Sequence, residues 1–405
     1  MTETPPSADP KEKGRRRRLG ALFAASGILT LGEGSLLVLI GPYLHEISLS
    51  EGLIGVVMIL YGVGALLSRF WSGAFYRTGR APVMIASAGA MMAAAYVAIP
   101  LVTDPVGLAA ILALNGAAYS MATTSGLAAV ADRHPIEGNA GSVMGWYTGA
   151  TGAGYAIAGF LAGALADTVG IRQTLVIVAV FPLVSGLLLA WILRLSIGDA
   201  RISLRTEPIS IRHLIRRLPS GVWMAFFVAF YISMVNGGLF TFFPIHALAI
   251  GLTLTHVGIM TGVHGSAATG IRFLSGPIFR FVPYRRVLPF AVALNGLALM
   301  WLSFTESLLL LVTAWAVIGL TRGVLRVASG ALVIDAATTS DRERGVSSTV
   351  YLAGLDLGKI LGPLLAGGIA EIVGLRSSFA LVGVLFVAIF FSGTMRTGSR
   401  APRMA

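Results

Sequence analysis

The sequence contains no cysteine and little charge. Without cysteine there is no disulfide and no thiolate metal site. Asp, Glu, Lys and Arg make up only 12% of the 405 residues, where a soluble domain carries about 25%. No Gly-x4-Gly-Lys-Ser/Thr loop occurs, so nothing points to ATP hydrolysis as an energy source, and neither a His-Glu-x-x-His helix nor a nucleophile elbow occurs, so an enzyme is not expected. No Asn-x-Ser/Thr sequon is present, which suits a bacterial chain. Acidic residues are the scarcer charge, 18 against 30 basic, for a net +12. Such an excess can mark nucleic-acid binding. Here the basic residues sit in short segments between apolar runs, so membrane topology explains them and no nucleic-acid partner is expected.

What the sequence has in quantity is apolar length: 56% of residues are hydrophobic, and 50 are glycine. A run of roughly 20 apolar residues crosses about 30 Å of hydrocarbon. Twelve such runs fall at 19–44, 51–75, 82–102, 106–131, 141–165, 172–194, 220–245, 254–279, 287–304, 308–333, 346–370 and 376–395. Glycine scattered through them suits close packing of membrane helices. Arg15 to Arg18 followed by an apolar run resembles a signal peptide, but the run is longer than a usual signal core. Of the Lys and Arg residues outside the spans, 23 fall on the side of the termini and two, Arg172 and Arg376, on the other. By the positive-inside rule both termini are cytoplasmic, and a multi-pass protein of the cell inner membrane is expected.

Polar, basic residues 1–18 read as a disordered tail and 396–405 as a short C-terminal tail. Residues 195–219 form the longest linker and separate two six-helix halves, 19–194 and 220–395. Within the linker, Ile211, Leu214, Ile215 and Leu218 alternate at helical spacing with Arg212, Arg216 and Arg217, which fits a helix lying on anionic lipid or a solvated connector.

The halves repeat each other. Arg69-Phe70-Trp71-Ser72-Gly73-Ala74-Phe75-Tyr76-Arg77 returns 203 residues on as Arg272-Phe273-Leu274-Ser275-Gly276-Pro277-Ile278-Phe279-Arg280. At the same offset Gly55, Gly62, Gly116 and Asp132 answer Gly258, Gly265, Gly319 and Asp335. At an offset of 204, Asp167 answers Glu371, and Gly163, Gly170 and Arg172 answer Gly367, Gly374 and Arg376. Duplicated bundles in an apolar chain point to a secondary transporter.

On these residues the chain resembles the major facilitator superfamily, over roughly residues 19–395. The first hairpin loop of that family carries Gly-x-Leu-x-Asp-Arg-x-Gly-Arg. Here it reads Gly73-Ala74-Phe75-Tyr76-Arg77-Thr78-Gly79-Arg80, with the acid lost, and the second copy has Arg280 where the acid would fall. The Arg of the family's fourth-helix motif is also missing from Leu112-Ala113-Leu114-Asn115-Gly116. Gly362-Pro363 with Gly367-Gly368 is similar to a motif of the export branch, although in span 11 rather than span 5. The resemblance implies an all-α membrane fold of twelve helices in two pseudo-symmetric bundles. It also implies a small-molecule substrate and a cavity lined by spans 1, 4, 7 and 10.

Ionisable groups at mid-bilayer are costly, so each is a functional candidate. Ser26, Thr30 and Glu33 share one face of span 1. Glu33 is either the acid that couples transport to protons or a fixed partner for a cation of the second half. Span 10 places Arg322 and Arg326 one turn apart, either to bind an anionic group or to hold Glu33 and Asp356. Their repeat partners Tyr119 and Thr123 form a neutral stripe with Asn115 on span 4. Tyr147, Thr151 and Tyr155 form another on span 5, and span 7 offers Asn236 ahead of Gly237-Gly238. In span 11, Asp356 and Lys359 stand one turn apart, as a self-paired couple or as part of a switchable network with Glu33. His264 is a relay candidate or a packing residue. Arg69 with Asp132, and Arg272 with Asp335, read as two clamps at the cytoplasmic ends, or the arginines simply snorkel; Gly73, Arg77, Gly276 and Arg280 frame the adjoining turns. The resulting expectation is a monomeric, proton-coupled transporter that needs no cofactor and exports a small organic or drug-like molecule. Proton-coupled import of an organic anion, and a non-transporting sensor on the same scaffold, are the alternatives.

Overall fold

The computed structural model describes residues 10–132, 140–195, 218–281, 284–336 and 341–398. In chain order the helices are α1 (Pro10–Glu46), α2 (Glu51–Phe75), α3 (Ala81–Ala98), α4 (Pro105–Asp132), α5 (Ala140–Val169), α6 (Ile171–Val178) and α7 (Val180–Leu195). The second half holds α8 (Ser220–Ala249), α9 (Leu254–Phe281), α10 (Tyr284–Trp301), α11 (Leu308–Ala336), α12 (Asp341–Val373) and α13 (Leu375–Gly398). No strand occurs among the described residues. The consecutive pair α6 and α7 makes one crossing, so the helices give the twelve crossings read from the apolar runs.

Ten of these crossings are long and apolar enough to span a membrane. The other two are α9, which carries His256, His264 and Arg272, and the short apolar stretch Arg286–Trp301 of α10. The tail expected at 1–18 is helical from Pro10 onward, because α1 continues through Lys11 to Arg18. Lys, Arg and Glu are strong helix formers, so basic composition alone does not end a helix. Apart from its two ends, the linker at 195–219 lies outside the described residues, and so does most of its amphipathic stretch.

The loops at 47–50, 170, 250–253 and 374 share one end of the bundle, called here the loop end; the termini share the other. Local chemistry sets the loop-end turns. Ser50 Oγ accepts from the Leu53 amide at 3.4 Å and caps α2. Gly170 and Gly374, repeat partners, take φ of +89° and +80°, a backbone state open to glycine and strained for other residues. They let α5 and α12 stop and the chain turn at once into the next helix. The two loop-end arginines that the charge count sets apart are each paired: Arg172 with Glu46 at 3.6 Å and Arg376 with Glu306 at 2.8 Å.

The halves meet along two seams, α2 against α12 and α5 against α9, related by the internal repeat. A Cβ on Gly55 would sit 2.8 Å from the Pro363 carbonyl oxygen, and one on Gly367 would sit 3.3 Å from Gly55 Cα. In the other seam a Cβ on Gly163 would sit 2.9 Å from Gly258 Cα. Only glycine allows backbones this close, so Gly55, Gly367, Gly163 and Gly258 mark where one half lies on the other. The Gly237-Gly238 pair serves close packing within the second half, of α8 on α12. The helix α8 runs through it unbroken, and Cβ atoms there would meet Pro363 Cδ at 2.8 Å and Ala366 Cβ at 3.0 Å.

Candidate functional site

Between the halves lies a cavity of about 910 Å³, its mouth included, within the size of small-molecule sites. Its lining comes from α1, α2, α5, α8, α9, α11 and α12. With a rise of about 1.5 Å per residue, Met58 sits roughly 10 Å from the loop end of its helix and Arg322 and Lys359 roughly 20 Å, so the cavity occupies mid-membrane depth. Leu37, Val38, Met58, Phe240 and Pro363 give it apolar walls. Tyr61, Tyr155, Ser233, Asn236, Thr241 and Thr261 add hydroxyl and amide groups. Its charged lining residues are Arg322 and Lys359, with His264 beside them; among the described residues no Asp or Glu lines it.

The cations are held by neutral neighbours. Arg322 Nη1 lies 3.0 Å from His264 Nε2. A guanidinium only donates, so this nitrogen accepts and carries no proton. The His264 ring packs edge-on against Phe240 and Trp315, with centroids at 5.3 and 5.7 Å. The Arg326 guanidinium stands 5.4 Å over the Tyr351 ring, and Lys359 Nζ stands 5.8 Å over the ring of Tyr119. Arg272 lies close enough to Arg322 and Arg326 to feel their charge. Positive potential thus gathers on the second-half wall.

Glu33 does not face this wall. It is fully buried inside the first half, behind the cavity lining. The Tyr61 hydroxyl donates to Glu33 Oε1. The Tyr96 hydroxyl at 3.1 Å and Asn115 Nδ2 at 3.4 Å both donate to Oε2. Three neutral donors hold the acid, and no ion pair reaches it among the described residues. Ser26 and Thr30 also stay inside the first half. Ser26 Oγ donates to the Leu22 carbonyl at 2.8 Å and Thr30 Oγ1 to the Thr151 carbonyl at 2.9 Å. Tyr119 and Tyr155 share a hydroxyl hydrogen bond of 2.7 Å, Thr123 bonds the Tyr119 carbonyl, and Tyr147 packs edge-on against Phe23. Of the stripes read from the sequence, Tyr155, Asn236, Arg322 and Lys359 reach the cavity.

Asp356 departs from both of its expected partners. It forms no ion pair with Lys359 one turn away. Its carboxylate takes Arg69 across the halves, with Nε to Oδ2 at 2.7 Å and Nη2 to Oδ1 at 3.2 Å. Arg69 is thereby engaged across the halves. The side chains of Asp132, Asp335 and Arg280 lie outside the described residues; Gly73 and Gly276 stand inside α2 and α9 rather than at turns, and Arg77 is exposed and bonds the Tyr76 carbonyl. The Arg69 pair lies about 25 Å from the loop end, nearer the termini than the glycine seams. Removing one member of a buried pair strands the other, at about 3–5 kcal/mol. The Arg69 side chain is 27% exposed and that of Asp356 is 1% exposed. Water can therefore reach the arginine, and Asp356→Asn is expected at the low end, about 3 kcal/mol. A clear fall in the melting temperature of the detergent-solubilised protein would show it, with partial recovery when Arg69→Gln is added. A Tm unchanged by Asp356→Asn would mean the pair does not tie the halves.

Sequence reasoning missed Tyr61 and Tyr96. Tyr61 was within reach: it stands 203 residues before His264, so the repeat pairs one cavity hydroxyl with one cavity imidazole. Tyr96 gave no such signal, because its repeat partner is Leu299.

Two repeat-related helical bundles enclosing a mid-membrane cavity define a multi-pass membrane transporter rather than an enzyme. The sequence says which kind. It matches the family model of the Major Facilitator Superfamily over residues 22–284 and 280–403, and the chain belongs to that family. Members of this family bind small-molecule substrates. No curated protein matches the chain significantly. Among solved structures, a mutant of the nucleoside transporter NupG superposes with a TM-score of 0.75 at 14% identity, covering 94% of this chain and 99% of that one. A bacterial homologue of the human lysosomal transporter Spinster, inward-facing and unoccupied, gives 0.72 at 16% identity, covering 98% and 100%. At these identities the likeness speaks for the fold.

Proposed function

We propose that the protein is a secondary transporter of a small organic anion, carried together with a proton by alternating access. The observation behind this reading is the charge of the cavity: among the described residues Arg322 and Lys359 line it and no carboxylate does. Apolar walls around one cationic patch suit an organic body bearing a carboxylate or phosphate group. Export of a neutral or cationic drug-like molecule would be better served by an acid facing the cavity. The acid of span 1 faces Tyr61, Tyr96 and Asn115 instead.

Glu33 is the proton site in this reading, and Lys359 is the cavity cation whose charge reaches it. The excess of Lys and Arg on the terminal side makes that side cytoplasmic. Closure of the α2–α12 and α5–α9 seams toward the loop end then corresponds to an inward-facing arrangement. Arg69–Asp356 is the innermost tie between the halves, and the chain works as a monomer.

The test compares ligands that differ in charge alone. A hydrogen bond to a charged group contributes about 1.5–3 kcal/mol, at least tenfold in affinity. Arg322→Gln and Lys359→Gln are each expected to weaken binding of benzoate-type carboxylates tenfold or more. Their neutral amide counterparts should change little. Equal losses for acids and amides would make the two residues structural and remove the basis for an anionic substrate.

A further inference from the structure

The hydrogen-bond cage of Glu33 is built asymmetrically. Oε2 receives two donors, Tyr96 and Asn115, while Oε1 receives only Tyr61. An ionised carboxylate is acceptor-only, so three incoming donors match that form. The protonated acid has one donor to place. Asn115 approaches Oε2 through its amide nitrogen at 3.4 Å, the longest of the three bonds, and in this orientation cannot accept. Oε1, with Tyr61 as its single partner, is the oxygen freer to carry the proton, and the reversal there falls on Tyr61.

Tyr61 and Tyr96 differ in what lies beyond them. Tyr96 is fully buried between helices, whereas Tyr61 also lines the central cavity beside Tyr155. Glu33 is faced by Tyr61 of α2, Tyr96 of α3, Tyr119 of α4, Tyr155 of α5 and, at longer range, Lys359 of α12. Among these, Tyr61 alone both bonds the acid and lines the cavity.

We propose that Tyr61 is a positioning residue whose hydroxyl changes polarity with the protonation of Glu33 and so reports that state to the cavity. With Glu33 ionised, the Tyr61 proton is committed to the carboxylate. Toward the cavity the hydroxyl offers lone pairs, which disfavour an anion. With Glu33 protonated, the acid donates to the Tyr61 oxygen and the phenolic proton is released to donate elsewhere. No bond to carbon forms or breaks; one proton enters at Glu33 and one hydrogen bond reverses. An anion then meets one more donor when the acid is protonated, which links uptake of the proton to binding of the substrate. This rests on the reading above that Glu33 takes up the transported proton.

Infrared difference spectra of the purified full chain, titrated from about pH 4 to 9 without ligand, test it. A carboxylic C=O band that is lost in Glu33→Gln should appear on acidification. A tyrosine C–O band, identified by ring-labelled tyrosine, should shift in the same step. That tyrosine shift should be lost in Tyr61→Phe and kept in Tyr96→Phe. A Glu33 band that titrates with no tyrosine shift, or with a shift removed by Tyr96→Phe instead, would overturn the proposal and leave Glu33 as the proton site. Absence of any Glu33-dependent carboxyl band would overturn both. If Tyr61→Phe does not fold, Tyr96→Phe decides: a shift that survives it belongs to Tyr61, the other tyrosine bonded to the acid, and a shift that it removes overturns the proposal.

Discussion

Vesicles containing Glu33→Gln are expected to exchange substrate across the membrane but to accumulate none when a pH difference is imposed. Glutamine keeps the size of the side chain and one acceptor oxygen, so the cage of Tyr61, Tyr96 and Asn115 retains its shape. The tyrosine hydroxyls can turn to accept from the new amide. What is lost is the only carboxyl among the described residues that sits at mid-membrane without an ion-pair partner. Each co-transported proton can sustain roughly tenfold accumulation per pH unit, about 1.4 kcal/mol. The wild-type protein should therefore concentrate substrate on the alkaline side by that factor, and the variant by none. Counterflow of labelled against unlabelled substrate, which needs no net proton movement, should proceed at a comparable rate. Accumulation that survives Glu33→Gln would move the proton site elsewhere. Loss of exchange as well would mean that Glu33 is required for the cavity itself.

The architecture was readable because it rests on one-dimensional facts: run length, spacing of basic residues and a repeat offset. Bilayer thickness and the cost of unpaired backbone in lipid translate these directly into helices. The depth of Glu33 and the reach of Arg322 and Lys359 followed from the same reasoning. The partners did not, because a partner is chosen in three dimensions. Asp356 and Lys359 are neighbours on one helix, yet Arg69 on another helix offers Asp356 two parallel donors and takes it. Glu33 shares a face with Ser26 and Thr30, but a helix packed on all sides has no unique inward face. In this one, the face with Glu33 looks into the first half rather than toward the cavity. Tyr61 and Tyr96 were missed for a related reason. Outside any polar stripe, each reads as apolar filling in a sequence, whereas in a dry bundle its hydroxyl is a donor able to hold a buried acid.

The repeat pair Asp167 and Glu371 had a place in the sequence argument but no role, and the structure supplies one that leads to the last prediction. The Asp167 carboxylate accepts from the amides of Leu254 at 3.0 Å and Thr255 at 2.7 Å, at the N-terminus of α9 in the other half. Glu371 accepts from the amide of Gly52 at 2.6 Å, at the N-terminus of α2. Thr255 stands 203 residues after Gly52, so the two contacts are repeat-related: each half caps a helix of the other. Free helix-end amides and the positive end of the helix dipole both favour a carboxylate there, at about 1 kcal/mol per cap. The contacts sit at the loop end, where the seams are closed, and opening that end must break them. Removing both with Asp167→Ala and Glu371→Ala is expected to shift the balance toward the loop-open state by roughly 2 kcal/mol, about thirtyfold. Because the chain has no cysteine, spin labels can be placed at Leu53→Cys and Leu248→Cys without first removing native thiols. The label distance should lengthen in the double variant, and each single variant should give about half the shift in free energy. Asp167→Asn and Glu371→Gln retain an acceptor without charge and should fall between. An unchanged distance distribution would show that the glycine seams alone hold the loop end shut.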